Sequence, residues 1–329
     1  MKTVLNLWKK VGMWFVLIVL LLIFTIISPA FRTANNFGNI LKQISILGVA
    51  AVGISFVLIS GSVDLSIGAI IALEIVVMAK MLQAKIPLGF VIVAGLLIAA
   101  VCSTINGLLA NTLKIPAFTI TLATMNIYQG VAWLISGGKV LGGFLTSKIS
   151  IFATKYLFKF FPLMGVILIL SAIIGIYLLS KTYFGRYVYA IGGNAEAARL
   201  AGINTKKTTI EIHIIAGIFY GIAGILYLSR TMSATGSACA NYAFQCITAA
   251  CLGGVSTSGG EGKASGAILG VLVIGIFSNG MGVPGVNDFV QQVIQGGILL
   301  FALFVEYLQG KVVSVKDNAP EAVVRKEPA

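Results

Sequence analysis

The seven residues Gly259–Ser265, GGEGKAS, look at first like a phosphate cradle. Such a loop needs Gly five residues before its Gly-Lys pair and Ser or Thr just after it. Backbone N–H groups then wrap the phosphate while a hydroxyl holds magnesium. Those two places are Thr257 and Ala264 here, so the chain shows no nucleotide site. Cys102, Cys239, Cys246 and Cys251 have no paired short spacing, and the single histidine, His213, leaves too few ligands for zinc. The cysteines read as small apolar fillers. No catalytic residue, metal site or bound cofactor is expected of this chain.

Asp64 is more informative. It lies in GSVDLSIGAIIAL, Gly61–Leu73, between two apolar stretches and bracketed by Gly61 and Gly68. An ionisable group in apolar surroundings costs several kcal/mol unless it is paired or wet, which makes it a functional candidate. It has two readings: Asp64 or Ser66 caps the helix that follows, accepting its free N–H groups, or Asp64 meets a ligand directly. Ser66, Thr121, Thr124, Asn126, Tyr128 and Gln129 could join Asp64 in bonding the hydroxyls of a polar solute. In the plainer reading the Thr and Asn side chains tie helices together, at about 0.6 kcal/mol each.

What positions these residues follows from composition. The 329 residues are 58% hydrophobic and 10% charged, with a mean hydropathy of +1.01. Soluble domains carry about 25% charged residues, so too little polar surface remains to coat a globule in water. The chain is an integral membrane protein. Val11–Phe31 and Gln43–Val63 are each 21 residues without a charge, and comparable windows recur to Val305. About 20 apolar residues cross the roughly 30 Å hydrocarbon core as a helix. The runs are continuously apolar, which excludes a β-barrel.

The pattern predicts an all-α protein of about ten transmembrane helices, with broken helices near a solute path. They are Val11–Ser28, Ile44–Ser60, Ser66–Leu82, Leu88–Leu109, Phe118–Ser136, Pro162–Ser180, Thr209–Ser229, Tyr242–Gly253, Ala264–Gly282 and Phe289–Leu308. The third carries Glu74, and the eighth is short for a crossing. Lys2, Lys9 and Lys10 precede an apolar core too long for a cleaved signal, so the first reads as a retained anchor. Residues 1–10 and 309–329 read as cytoplasmic ends around a membrane domain, 11–308. With both termini inside, fourteen of the 23 basic residues fall on cytoplasmic segments, as the positive-inside bias requires. The net charge of +13 is then topology and contact with anionic lipid, not nucleic-acid binding.

The inside segment Lys181–Thr208 carries five basic residues and one acidic. Within it Ala195–Gly202 predicts a short surface helix, capped by Asn194 and stopped by Gly202. Glu196-Ala197-Ala198, then Gly202 and Ile212, match the E-A-A-x3-G-x9-I spacing of the loop in bacterial ABC importer permeases. More widely, GSVDLSIG, TLATMNIYQG (Thr121–Gly130), FGRYVYAIGGNAEAARLAGIN (Phe184–Asn204) and LGGVSTSGGEGKASGAILGVLVIGIFSNGM (Leu252–Met281) resemble the ribose-type sugar permease family. The resemblance runs in order from about Phe31 to Leu308. The Leu-Pro that ends the general importer loop is absent after Ile212, as is common in this family.

That resemblance implies an inner-membrane subunit moving a monosaccharide such as ribose. Its partners would be a second permease copy or paralogue, an ATP-binding subunit and an extracytoplasmic sugar-binding protein. ATP and magnesium would stay with the ATPase. Asn194, Glu196, Ala197, Ala198, Arg199 and Gly202 would couple to that ATPase. GAIIAL at Gly68–Leu73 also echoes GAILGV at Gly266–Val271, as repeated transporter halves do. The competing class is a stand-alone secondary transporter or channel, which needs ionisable residues deep in several helices. Here Asp64 and Glu74 alone qualify. A lipid-embedded scaffold would need neither the Glu196–Gly202 element nor broken helices.

Overall fold

The computed structural model describes residues 2–144, 148–157 and 161–317, and no side chains for 2–12, 288 and 305–317. The first half holds α1 (Lys2–Ile27), α2 (Ala34–Ile59), α3 (Ile67–Gln83), α4 (Leu88–Leu113), α5 (Ala117–Ser136) and a single turn, α6 (Ile151–Thr154). A minimal antiparallel pair, β1 (Tyr156–Leu157) and β2 (Phe161–Pro162), sets Tyr156 opposite Pro162. There follow α7 (Leu163–Lys181), α8 (Tyr183–Gly193), α9 (Ala195–Leu200), α10 (Thr205–Thr231), α11 (Tyr242–Leu252), α12 (Ala264–Gly282) and α13 (Asp288–Asp317). Every one of the ten expected segments is a helix. Of these, α2, α4, α5, α7, α10 and α12 are long and apolar enough to cross a membrane by themselves.

Prolines mark three of the starts. Pro87, Pro116 and Pro162 stand immediately before α4, α5 and α7. Proline donates no N–H and pushes the residue before it out of helical geometry, so the preceding structure stops there. Several boundaries depart from expectation, those of α2 and α13 among them. α2 begins at Ala34 rather than Ile44, because the Thr33 side chain caps it by accepting the Asn36 N–H at 3.2 Å. Its one charge, Lys42, is accommodated with Nζ 4.9 Å from the centre of the Tyr156 ring. α13 runs on past Leu308 to Asp317, and the rest of the expected tail, 318–329, lies outside the described residues.

The centre of the fold is α2 against α10. α2 also packs on α12, α7 and α11, and α10 on α4 and α3. Most of α2 and α10 is buried, whereas less than a third of α4 and α5 is. Yet the outward faces of α4 and α5 are apolar: Phe90, Leu97 and Leu134 are all exposed. An outer helix that is apolar all round faces lipid. With lipid outside, helices are held by close approach rather than by exclusion of water. A Cβ at Gly217 of α10 would lie 2.7 Å from Ala100 Cα, so these two helices touch nearly backbone to backbone.

Candidate functional site

Between α2 and α3 the chain is not helical. α2 ends at Ile59, Gly61 takes φ +79°, and α3 starts only at Ile67. Backbone broken this way inside an apolar bundle must find bonds elsewhere. Thr121 on α5 supplies them: its hydroxyl accepts the Leu65 N–H at 3.2 Å and lies 3.2 Å from the Val63 carbonyl. Asp64 closes the turn, its Oδ1 accepting both the Ser66 N–H (2.8 Å) and the Ser66 hydroxyl (2.6 Å). Neither expected cap reaches an N–H of α3: Asp64 holds the turn just ahead of the helix, and the Ser66 side chain makes no cap bond.

The network continues outward from Ser66. Asn106 of α4 donates Nδ2 to Ser66 Oγ at 2.7 Å, and the Tyr128 hydroxyl lies 3.1 Å from Asn106 Oδ1 and 3.0 Å from the Cys102 carbonyl. Thr124 donates to the Thr121 carbonyl at 3.3 Å. Asp64 and Ser66 are 0% exposed and Asn106 and Thr121 1%, so the set is sealed inside the bundle. Asn126 stands apart, exposed and bonded back to the Leu122 carbonyl of its own helix, and Gln129 is half-buried. The structure thus joins Asp64, Ser66, Thr121, Thr124 and Tyr128. It leaves Asn126 out. Asn106, which links three helices through one amide, carries no local sequence signal at all.

The second region has more structure than its sequence announces. α8 precedes the expected short helix, with Thr182 accepting the Gly185 N–H at 3.1 Å as its cap. α9 then matches expectation at both ends. Asn194 Oδ1 accepts the Ala197 N–H at 2.9 Å. Gly202, at φ +87°, closes the helix through Gly202 N–H to Arg199 O and Ile203 N–H to Ala198 O, both 3.0 Å. These two bonds form a Schellman cap. Ala197 and Glu196 are exposed and Ala198 is buried. Arg199 grips Glu196 with two N–H groups, and that bond, with the guanidinium charge, holds the Glu196 carboxyl below its ordinary range. Both partners are well exposed, so the pair adds little stability. Leu200 is 76% exposed at the tip, an apolar side chain where a solvated helix would carry a polar one.

Three glycine-rich stretches meet beneath α9. Gly260 N–H donates to the Ile59 carbonyl at 2.8 Å, and a Cβ at Gly192 would fall 1.8 Å from that same oxygen. A Cβ at Gly259 would lie 2.6 Å from Gly61 Cα, and one at Gly260 3.0 Å from Gly193 Cα. The GGEG stretch that resembles a phosphate cradle is therefore filled by its own chain. Tyr189 ties α8 to it, donating to the Gly262 carbonyl at 2.7 Å.

Residues 36–303 match the family described as branched-chain amino acid transport system / permease component. The L-arabinose transport system permease protein of Escherichia coli K12 is 39% identical over 307 residues, 92% of each chain. A ribose import permease protein of Bacillus subtilis is 37% identical over 299 residues, 91% of this chain and 92% of its own. The galactose/methyl galactoside import permease protein of Haemophilus influenzae is 35% identical over 322 residues, 92% of this chain and 96% of its own. No solved structure matches. With the family matched across most of its length and near full-length relatives at this identity, the chain belongs to the branched-chain amino acid transport system / permease component family, as a membrane transport subunit rather than an enzyme.

Proposed function

We propose that this chain is the membrane-spanning permease of an ATP-driven, binding-protein-dependent importer that carries a monosaccharide across the inner membrane. The observation that carries the reading is the near full-length likeness to permeases named for ribose, arabinose and galactose. The chain would cross the membrane ten times with both ends in the cytoplasm, and would pair with a second permease copy or paralogue. ATP and magnesium would act at a separate ATP-binding subunit, and an extracytoplasmic protein would deliver the sugar.

In this reading residues 181–208 receive the ATPase. Asn194 and Gly202 set the ends of α9, Ala197, Glu196, Arg199 and Leu200 meet the partner's groove, and Ala198 packs back against the permease. The glycine contact under α9 passes its displacement to the break at Gly61–Ser66 through backbone, which has no side chain to absorb the motion. Asp64, Ser66, Thr121, Thr124 and Tyr128 hold that break in shape beside the sugar path.

Reconstitution tests this directly. The purified chain alone in liposomes is expected to move no sugar under a proton or sodium gradient. Uptake is expected once the ATPase, ATP and the sugar-loaded binding protein are added. Gradient-driven uptake by the lone chain would overturn the reading in favour of a secondary transporter.

A further inference from the structure

α11 is too short to cross by helix alone, so irregular backbone completes the eighth crossing. Its 11 residues rise ~16 Å at about 1.5 Å each, half of a hydrocarbon core roughly 30 Å thick. Its far end leads into Gly259–Gly260, packed on Gly61 and Gly193 at the α9 side. Its start, Asn241, therefore lies near mid-depth. The backbone before it is irregular there: Cys239 takes φ +58°, and its carbonyl is so close to Gly68 that a Cβ on that glycine would sit 2.1 Å away. Non-helical backbone at depth is tolerated where it lines a cavity.

A cavity of about 200 Å³ opens at that point, between α11 and α13. Asn241, the residue before α11, lines it with Gln245 and Thr248 of that helix, and Gln292 and Gln295 line it from the other. The amides pair across the gap. Gln245 Nε2 donates to Gln295 Oε1 at 3.0 Å, Gln292 Nε2 reaches Asn241 Oδ1 at 3.4 Å, and Gln295 Nε2 donates to Ser278 Oγ at 3.0 Å. This leaves the carbonyl ends of Gln245 and Gln292 and the NH2 of Asn241 unused among the described residues. Phe244, 51% exposed, adds an apolar face. Four amides turned toward hydrocarbon would each cost several kcal/mol, so this side of the bundle is not a lipid face.

We propose that this amide cleft makes the direct hydrogen bonds to the monosaccharide in transit. Amides offer donor and acceptor side by side, which suits vicinal hydroxyls. The lining holds no charged side chain. An amino acid would bring an ammonium and a carboxylate into it without a counter-charge, so the chemistry favours a sugar over a branched-chain amino acid. The inference rests on the importer reading and deepens it.

The test uses the assembled transporter in vesicles with its ATPase and the sugar-loaded binding protein. In the pair Gln245→Leu and Gln292→Leu, sugar moved per ATP hydrolysed is expected to fall about tenfold, as the loss of two hydrogen bonds implies. Independently, Gln292→Cys is expected to react with a charged thiol reagent, while Val293→Cys, on the adjoining exposed face, stays inert. Unchanged coupling in the double variant, or a Gln292→Cys as inert as Val293→Cys, would overturn the cleft. Sugar uptake by the unsubstituted transporter in the same vesicles is the separate control. Its absence defeats the importer reading, and its presence with indifferent variants defeats the cleft alone.

Discussion

Glu74 is fully buried on α3, and neither of its carboxyl oxygens has a hydrogen-bond partner among the described residues. The space it fills exists because two neighbours lack side chains. A Cβ at Gly224 of α10 would lie 2.1 Å from Oε2, and one at Gly95 of α4 2.9 Å from Oε1. The carboxyl is thus bounded by a glycine on two sides, within a fully buried site. Gly224→Ala is therefore expected to destabilise the permease by about 1–3 kcal/mol, the cost of overpacking a close-fitted core. Glu74→Ala in the same chain removes the obstacle and should recover most of that loss, so the two changes are non-additive by more than about 1 kcal/mol. Thermal unfolding of the four variants in detergent measures it, and strictly additive shifts would defeat the cradle. Glu74→Gln, the same shape without an ionisable group, should leave the fold intact. Nothing in the sequence pairs Glu74 with Gly224, 150 positions away. Asp64 and Ser66 were legible as candidates because the break they sit in is local, though not as a bonded pair; Asn106 and the Glu74 cradle were not, because they exist only once helices pack.

At the scale of the element, α9 was readable to the residue because helix ends have local chemistry: Asn194 accepts an N–H, and Gly202 takes a backbone angle that a Cβ opposes. α8 was not, since three of its eleven residues are glycine, which weighs against a helix in a sequence. No atom lies within 4 Å of a Cβ built at Gly202, so a substitution there acts through the backbone alone. Gly202→Val should cost about 1–2 kcal/mol in the left-handed conformation, fray the end of α9 and weaken ATPase co-purification. Gly202→Asn, which tolerates that conformation, should stay near the parent. Leu200→Ser leaves the helix untouched but removes its exposed apolar tip. If that tip is buried on binding, association falls by about 1.5–3 kcal/mol, roughly ten- to a hundredfold. Pull-down of the ATPase on the intact permease distinguishes the three. Equal recovery with all of them would reduce α9 to a solvated surface helix.

For the whole molecule, the contacts set relative sidedness before any membrane is invoked. The Gly260–Ile59 hydrogen bond and the Gly192 contact put the loop before α12 on the same side as α8 and α9. α12 then has 19 residues, a rise of ~28 Å at about 1.5 Å each, enough to carry the chain to the other face of a roughly 30 Å core. Asn287, which follows it, and Lys206, which follows α9, therefore belong to opposite sides, and both are exposed. The charge distribution predicts which side is which. Lys181, Arg186, Arg199, Lys206 and Lys207 cluster on the α9 side, and basic loops stay in the cytoplasm. Charge-free windows made the helices legible in the sequence, but the contacts that tie the two distant loops to one face appear only once the helices pack. On a cysteine-free background, Asn287→Cys should react with an impermeant reagent in intact cells, and Lys206→Cys only after permeabilisation. Reaction of both from outside would contradict the contacts and the charge rule together. Reaction of Lys206→Cys alone from outside would keep the fold, invert the orientation, and place α9 where no cytoplasmic ATPase reaches it.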